Sequence, residues 1–224
     1  MTGEPKIYLI HAQRVSIDPI EAAFQSLWPE ACLAHLLEDS LFSDFGRDGG
    51  LTAAMIERFR ALGSYCVGAG ADAILFTCSA FGPAIDAVKR DQRIPILKPN
   101  EALYDALLDN GGRIALLATF APTIPSMMAE IAAYSGTRSA GTKSASPRVD
   151  AHLVEGALDA LRNNRPDEHN RLIADAARSF ANHDAIAFAQ FSMAPARALT
   201  EAHIRIPLLT TPDTAIRKLK SLMV

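Results

Sequence analysis

The chain has 224 residues, 49% of them hydrophobic, with 22 basic and 25 acidic side chains and a formal net charge of −3. That balance offers no concentrated positive field for a nucleic-acid backbone or an anionic membrane. The apolar content, with 13 Gly and 13 Pro, excludes disorder and collagen-like or low-complexity scaffolds. No stretch approaches the roughly 18–20 apolar residues needed to span a bilayer, and the apolar run Ile7 to Ile10 is too short for a signal-peptide core. Three cysteines, Cys32, Cys66 and Cys78, are odd in number and form no C-x-x-C pair, so neither a disulfide framework nor a zinc knuckle is expected. Reduced thiols in a soluble, cytoplasmic protein are the simpler reading.

Short runs of Ile, Val and Leu alternate with longer segments of helical period, the pattern of βα units on a parallel sheet. Strands are expected near 6–11, 32–37, 73–77 and 94–97, each followed by a helix, near 17–27, 49–68, 81–90 and 100–109. A second series places strands near 112–118, 149–154, 184–189 and 206–209, with helices near 123–134, 166–181, 193–202 and 212–222. The breakers fit: Gly111-Gly112 before the fifth strand, the segment 144–147 before the sixth, and Pro212 in a first helical turn.

The second series repeats the first. Residues 72–97 laid without gaps on 184–209 share ten identities in 26 positions, among them Asp72/Asp184, Phe76/Phe188 and Pro95/Pro207; about two would arise by chance at ordinary composition. Ala34-His35-Leu36 matches Ala151-His152-Leu153 at an offset of 117, and Ile7 and Leu9 match Ile114 and Leu116 at 107. Three blocks in one order favour duplication over shared βα grammar. The expected fold is α/β: two similar pseudo-symmetric lobes, each a four-stranded parallel sheet flanked by helices, with a cleft between them. The first lobe is 1–98, completed by a C-terminal helix 211–224, and the second is 99–210. Ligands of parallel sheets lie beyond the carboxyl ends of the strands, so the residues following each strand are the candidates.

Cys78 sits at such a strand-to-helix junction, where backbone N–H groups and the helix dipole favour an anion. Its repeat equivalent is Gln190, a neutral amide that donates and accepts hydrogen bonds but cannot act as a proton-transfer base. Around them stand Ser79 and Ala80 in the first half, and Phe191 and Ser192 in the second. After the opening strand of each half come His11, Gln13, Arg14 and Ser16, and Thr119 and Thr123. Hydroxyls there serve as N-caps or carboxylate donors; His11 is a candidate base or orienter, or a structural histidine; Arg14 is the cation able to meet a second carboxylate, or a solvated charge.

Other patterns carry less. His35 and His152 look equivalent, with Glu38 and Glu155 three residues on, but His-x-x-Glu in a strand points to opposite faces, so no metal site is expected. Gly68-Ala69-Gly70 precedes a strand where a dinucleotide fingerprint must follow one, so no nicotinamide cofactor is expected. Ser79 and Ser192 form no G-x-S-x-G elbow.

The duplicated halves, with Thr77-Cys78-Ser79 after a strand in the first and Ala118-Thr119 with Thr123 in the second, resemble the aspartate/glutamate racemase superfamily. That superfamily includes amino-acid, hydantoin and maleate isomerases and arylmalonate decarboxylase. The resemblance implies a cofactor-independent enzyme, an isomerase acting at the α-carbon of a small carboxylate such as an amino acid or hydantoin. Hydroxyls and backbone amides would hold the carboxylate between the lobes. Family racemases use two facing cysteines, whereas here Cys78 matches the first and Gln190 stands in place of the second. A one-thiol lyase like arylmalonate decarboxylase, or a non-catalytic binder of an anionic metabolite, is the alternative. The short acidic segment before Phe45-Gly46-Arg47 and the Ser/Thr/Gly-rich loop 136–147 are expected to shape the pocket, and a homodimer or higher homo-oligomer is the assembly such two-lobe enzymes suggest.

Overall fold

The computed structural model describes residues 4–138 and 147–223. In the first half, β1 (Lys6–His11) leads through a 3-10 turn into α1 (Ile17–Leu27), and β2 (Cys32–Leu37) into α2 (Ser40–Arg47) and α3 (Ala53–Gly68). Then β3 (Ala73–Phe76) leads through the 3-10 turn Ser79–Phe81 into α4 (Gly82–Asp91), and β4 (Ile96–Leu97) into α5 (Glu101–Asn110). The second half runs β5 (Arg113–Ala118), α6 (Thr123–Arg138), β6 (Arg148–Leu153), α7 (Ala157–Arg162), α8 (Pro166–Arg178) and β7 (Ala185–Phe188). It ends with the 3-10 turn Phe191–Ala196, α9 (Arg197–Glu201), β8 (Leu208–Thr210) and α10 (Thr211–Leu222).

The two four-stranded sheets are wholly parallel, ordered β2-β1-β3-β4 and β6-β5-β7-β8. The chain divides into two compact units, residues 1–102 with 215–224, and residues 103–214. Within each, the inner strands are short apolar runs buried on both faces, as parallel sheets require. In the first unit Tyr8, Ile10, Ile74 and Phe76 pack with Phe59, Ile85 and Val88 of α3 and α4. In the second, Ala115, Leu117, Ile186 and Phe188 pack with Ile173 and Ala177 of α8, while Ile114, Leu116 and Ala187 meet Leu103, Leu107 and Met127 on the other face. No helix among the described residues is long and apolar enough to cross a membrane.

The repeat has a physical basis in how the strands are tied. Asp72 accepts the amide of Lys6 at 2.8 Å, and its counterpart Asp184 accepts that of Arg113 at 2.6 Å, so each carboxylate fixes the start of the neighbouring central strand. The carbonyls of Pro95 and Pro207 each accept an amide, from Ile74 and Ile186, at 2.9 Å. Proline cannot donate to the ladder, which leaves β4 shorter than the 94–97 expected. Gly112, at φ +70, lies where a Cβ would come within 2.3 Å of Asp184 Oδ2, so only glycine admits that carboxylate.

Where boundaries differ from expectation, local chemistry accounts for it. The helix expected over 49–68 is α3 and begins only at Ala53, because Gly49 and Gly50 adopt positive φ and Thr52 caps α3 by accepting the Met55 amide at 3.2 Å. The helix expected over 193–202 opens as a 3-10 turn containing Pro195, leaving α9 only 197–201. The short α7 has no counterpart in the sequence reading. Of the loop 136–147, residues 139–146 lie outside the described residues.

One apparent equivalence does not hold. Leu9 and Leu116 are counterparts, yet Leu9 pairs with His35 whereas Leu116 pairs with Ala151 and His152 pairs with Leu117. The sequence match of β2 to β6 is therefore one residue out of register, and a one-residue slip in a strand turns a side chain to the other face. His35 faces β1's His11, while His152 lies against Phe180, with ring centroids 5.2 Å apart.

Candidate functional site

Because β1 and β3 are parallel neighbours, their carboxyl ends coincide: Ile10 pairs with Phe76, and the Thr77 amide donates to the Ile10 carbonyl at 3.1 Å. The next side chains on one face, His11 and Thr77, are thereby brought together. His11 is fully buried (0% exposed), and Ser16 (6%) and Thr77 (7%) are nearly so. His11 Nδ1 lies 2.8 Å from Thr77 Oγ1 and 3.0 Å from Ser16 Oγ, and the two hydroxyl oxygens are 2.9 Å apart. On its far side His11 Nε2 meets His35 Nδ1 at 3.0 Å, and His35 Nε2 meets Glu21 Oε1 of α1 at 3.1 Å. Burial first, and the neighbouring His35 second, push the His11 pKa down to about 4, so the ring is neutral at physiological pH.

Cys78 follows with extended backbone, φ −125° and ψ 121°, and its side chain turns to the opposite face, against the first unit's apolar core. Cys78 is half-buried as a residue. Burial raises the thiol pKa, while a hydrogen bond from the Ala80 amide lowers it; burial is the larger effect, so the resting group is the thiol. The other two cysteines differ from it: Cys66 is sealed in α3, its thiol pushed up to about 11 by burial, and Cys32 is exposed at the start of an edge strand.

The second unit builds a different junction on the same backbone plan. Gln190 holds Cys78's place, also extended and also before a 3-10 turn. Its Oε1 accepts the Thr119 amide at 2.9 Å and the Thr119 hydroxyl at 3.4 Å, and its Nε2 donates to Thr123 Oγ1 at 3.2 Å. The amide thus braces the segment after β5 to that after β7. Phe191 is buried beside it, and the Ser192 carbonyl lies 3.1 Å from Nε2 of the buried His169.

Of the residues singled out from sequence, the structure gathers His11 with Ser16, and Thr119 and Thr123 with Gln190. Gln13, Arg14, Ser79 and Ala80 lie in exposed turns at the ends of β1 and β3. Sequence reasoning passed over Thr77, His35 and Glu21 as partners of His11. The signal was the alternation of faces on adjacent parallel strands, legible only once the register of β1 against β2 is known. Among the described residues no three His, Cys, Asp or Glu side chains gather as metal ligands.

A family model described as Asp/Glu/hydantoin racemase matches residues 47–219. The chain belongs to this family. Solved structures with the same fold include an aspartate racemase homologue from Pyrococcus horikoshii, at TM-score 0.66 and 16% identity, covering 97% of this chain and 98% of that one. Allantoin racemase from Klebsiella pneumoniae aligns at TM-score 0.69 and 15% identity, over 97% of this chain and 87% of that one. A point variant of arylmalonate decarboxylase in a sulfate-associated form aligns at TM-score 0.66 and 15% identity, over 98% and 93%. No curated protein matches the chain significantly in sequence. The fold is therefore that of racemases and of a decarboxylase alike.

Proposed function

We propose that the chain is a cofactor-independent enzyme of the isomerase type, acting at the α-carbon of a small carboxylate with Cys78 as its single proton-transferring thiol. One observation carries this reading: a half-buried cysteine at the carboxyl end of β3, in an extended residue that opens a 3-10 turn, with the Ala80 amide acting on its thiol. An α-proton beside a carboxylate is weakly acidic, so the enediolate must be stabilised by positioned donors in a dry site. The hydroxyls and amides of Ser79, Ala80, Thr119, Thr123 and Ser192, with Gln13, Phe191 and Arg14 at the rims of their loops, are the groups proposed to hold and shape the substrate.

A second reading is favoured by two further observations. Burial keeps Cys78 protonated at rest, and Gln190 is spent on Thr119 and Thr123 and has no proton to exchange. One acid suffices for a decarboxylase: the carboxylate leaves as carbon dioxide, its bonding pair passes into the enediolate, and the thiol proton goes to the α-carbon. Solvent then reprotonates the thiolate.

The test is proton NMR in heavy water with amino acids, hydantoins and substituted malonates. Incorporation of deuterium at Cα without loss of carbon dioxide identifies the isomerase, and deuterated monoacid product identifies the lyase. Either activity falls about 10²–10⁴-fold in Cys78→Ala, the usual worth of a general acid or base. Binding shifts with no chemistry on any compound, or activity undiminished in Cys78→Ala, would refute the assignment.

A further inference from the structure

The polar chain that runs from half-exposed Glu21 and His35 to buried His11 behind Thr77 is not absorbed by that reading, and its donors and acceptors can be counted. Glu21 as a carboxylate only accepts, so His35 Nε2 carries a hydrogen at the 3.1 Å contact. With His35 neutral, its Nδ1 is bare. His11 Nε2–H then donates across the 3.0 Å contact, and His11 Nδ1 is left as an acceptor for a hydroxyl hydrogen from Thr77 or Ser16. With His35 protonated, Nδ1–H donates instead, His11 Nε2 becomes the acceptor, and the His11 hydrogen moves to Nδ1, where it donates to a hydroxyl oxygen. The His11 ring is neutral in both states.

We propose that Glu21, His35 and His11 form a proton relay in which the charge on His35 sets the tautomer of buried His11 and so the direction of the hydrogen bonds made by Ser16 and Thr77. The near-parallel imidazole planes, 9° apart, suit transfer of a hydrogen along the Nε2–Nδ1 line. The low pKa of His11 agrees with a ring that changes tautomer without taking up charge. The described partners of the pair are Glu21 from α1 and the hydroxyls of Ser16 and Thr77 from the turn after β1 and the end of β3, with Leu33 and Leu37 the same-face neighbours on β2.

The consequence falls on the segment bearing Cys78. When His11 Nδ1 donates, neither hydroxyl need point its hydrogen at the ring. Ser16 keeps the Gln13 carbonyl at 2.9 Å as acceptor, and the Thr77 hydroxyl is freed to donate elsewhere at the end of β3. Protonation at the edge strand thus frees one donor on Thr77, the residue before Cys78, with the Ile10 carbonyl at 3.4 Å and Ser16 Oγ at 2.9 Å as its acceptors, a charge-linked device that stands whether or not the reaction proposed above is correct.

The test needs no substrate. Long-range proton–nitrogen spectra of the 15N-labelled full chain, assigned with His11→Gln and His35→Gln, report each ring nitrogen across pH. As His35 gains its proton, His11 Nδ1 is expected to pass from the bare to the N–H position and Nε2 the reverse, with one shared midpoint. In Glu21→Gln, which keeps an acceptor oxygen but removes the charge, both transitions move together; in His35→Gln the His11 switch is lost. A His11 tautomer that stays fixed while His35 titrates, or one whose midpoint ignores Glu21→Gln, overturns the relay. These outcomes differ from loss of activity in Cys78→Ala, so either proposal can fail alone.

Discussion

The two halves place different chemistry on one backbone plan. At matched positions the first carries His11, Ser16, Thr77 and Cys78, and the second carries Ala118, Thr123, Ala189 and Gln190. In the first half a buried imidazole is satisfied by two hydroxyls and a second ring. In the second, alanines fill the same face, wholly or nearly buried, and one amide collects the remaining polar groups. Duplication thus preserved what builds a sheet, namely Asp72/Asp184, Pro95/Pro207 and the apolar inner strands, and left the strand ends free to diverge.

The comparison can be broken at several points. The largest effect concerns the cores. Phe76 stacks on Phe59 at 5.6 Å, and Phe59 meets Phe81 at 5.0 Å, while among the described residues Phe188 meets no aromatic ring. Both Phe→Ala changes are expected to cost about 3–5 kcal/mol in denaturant melts, with Phe76→Ala nearer the top. Equal losses would show that the ring stack adds nothing beyond buried area.

Next comes pH. His11 titrates near 4 folded and 6.5 unfolded, so between those values the unfolded chain binds a proton that the folded chain does not. Stability is therefore lost as pH falls through that window, by roughly 3 kcal/mol at full effect. His11→Gln should flatten this slope in urea melts between pH 7 and pH 4, since the matched Ala118 contributes none. A slope unchanged in the variant would assign the acid sensitivity elsewhere.

A smaller cost is expected at the brace. Gln190→Ala leaves the buried Thr119 amide without its acceptor, worth about 1–3 kcal/mol, and should loosen the segments after β5 and β7 to hydrogen exchange without altering the His11 resonances. Changes at His11 would contradict the independence of the two networks. The smallest effect compares helix starts: Thr52→Ala removes the side-chain cap of α3 and should cost about 1 kcal/mol, whereas Arg165→Ala at the uncapped start of α8 should be near neutral.

Much was legible in the residues themselves. Short continuous apolar runs set off by turn residues located all eight strands, because burial of the inner strands on both faces leaves few other compositions, and the repeat of Asp-Ala-Ile with Arg-Ile-Pro exposed the doubling. The position of Cys78 after a strand was equally plain. The errors fell where one residue of register matters: His35 and His152 read as equivalents although they face opposite sides of their strands. A glycine pair and a proline also move the starts of two helices later than periodicity alone suggests.

By itself, then, the sequence determined the α/β class, the duplication and the asymmetry of Cys78 against Gln190, since these follow from local pattern and residue identity. Only tertiary structure decided that His11 reaches Thr77, Ser16 and His35, and that Gln190 is consumed by Thr119 and Thr123. Those contacts join residues as many as 71 positions apart through strand pairing. The pairing register is a property of the assembled sheet, and no window of the chain contains it.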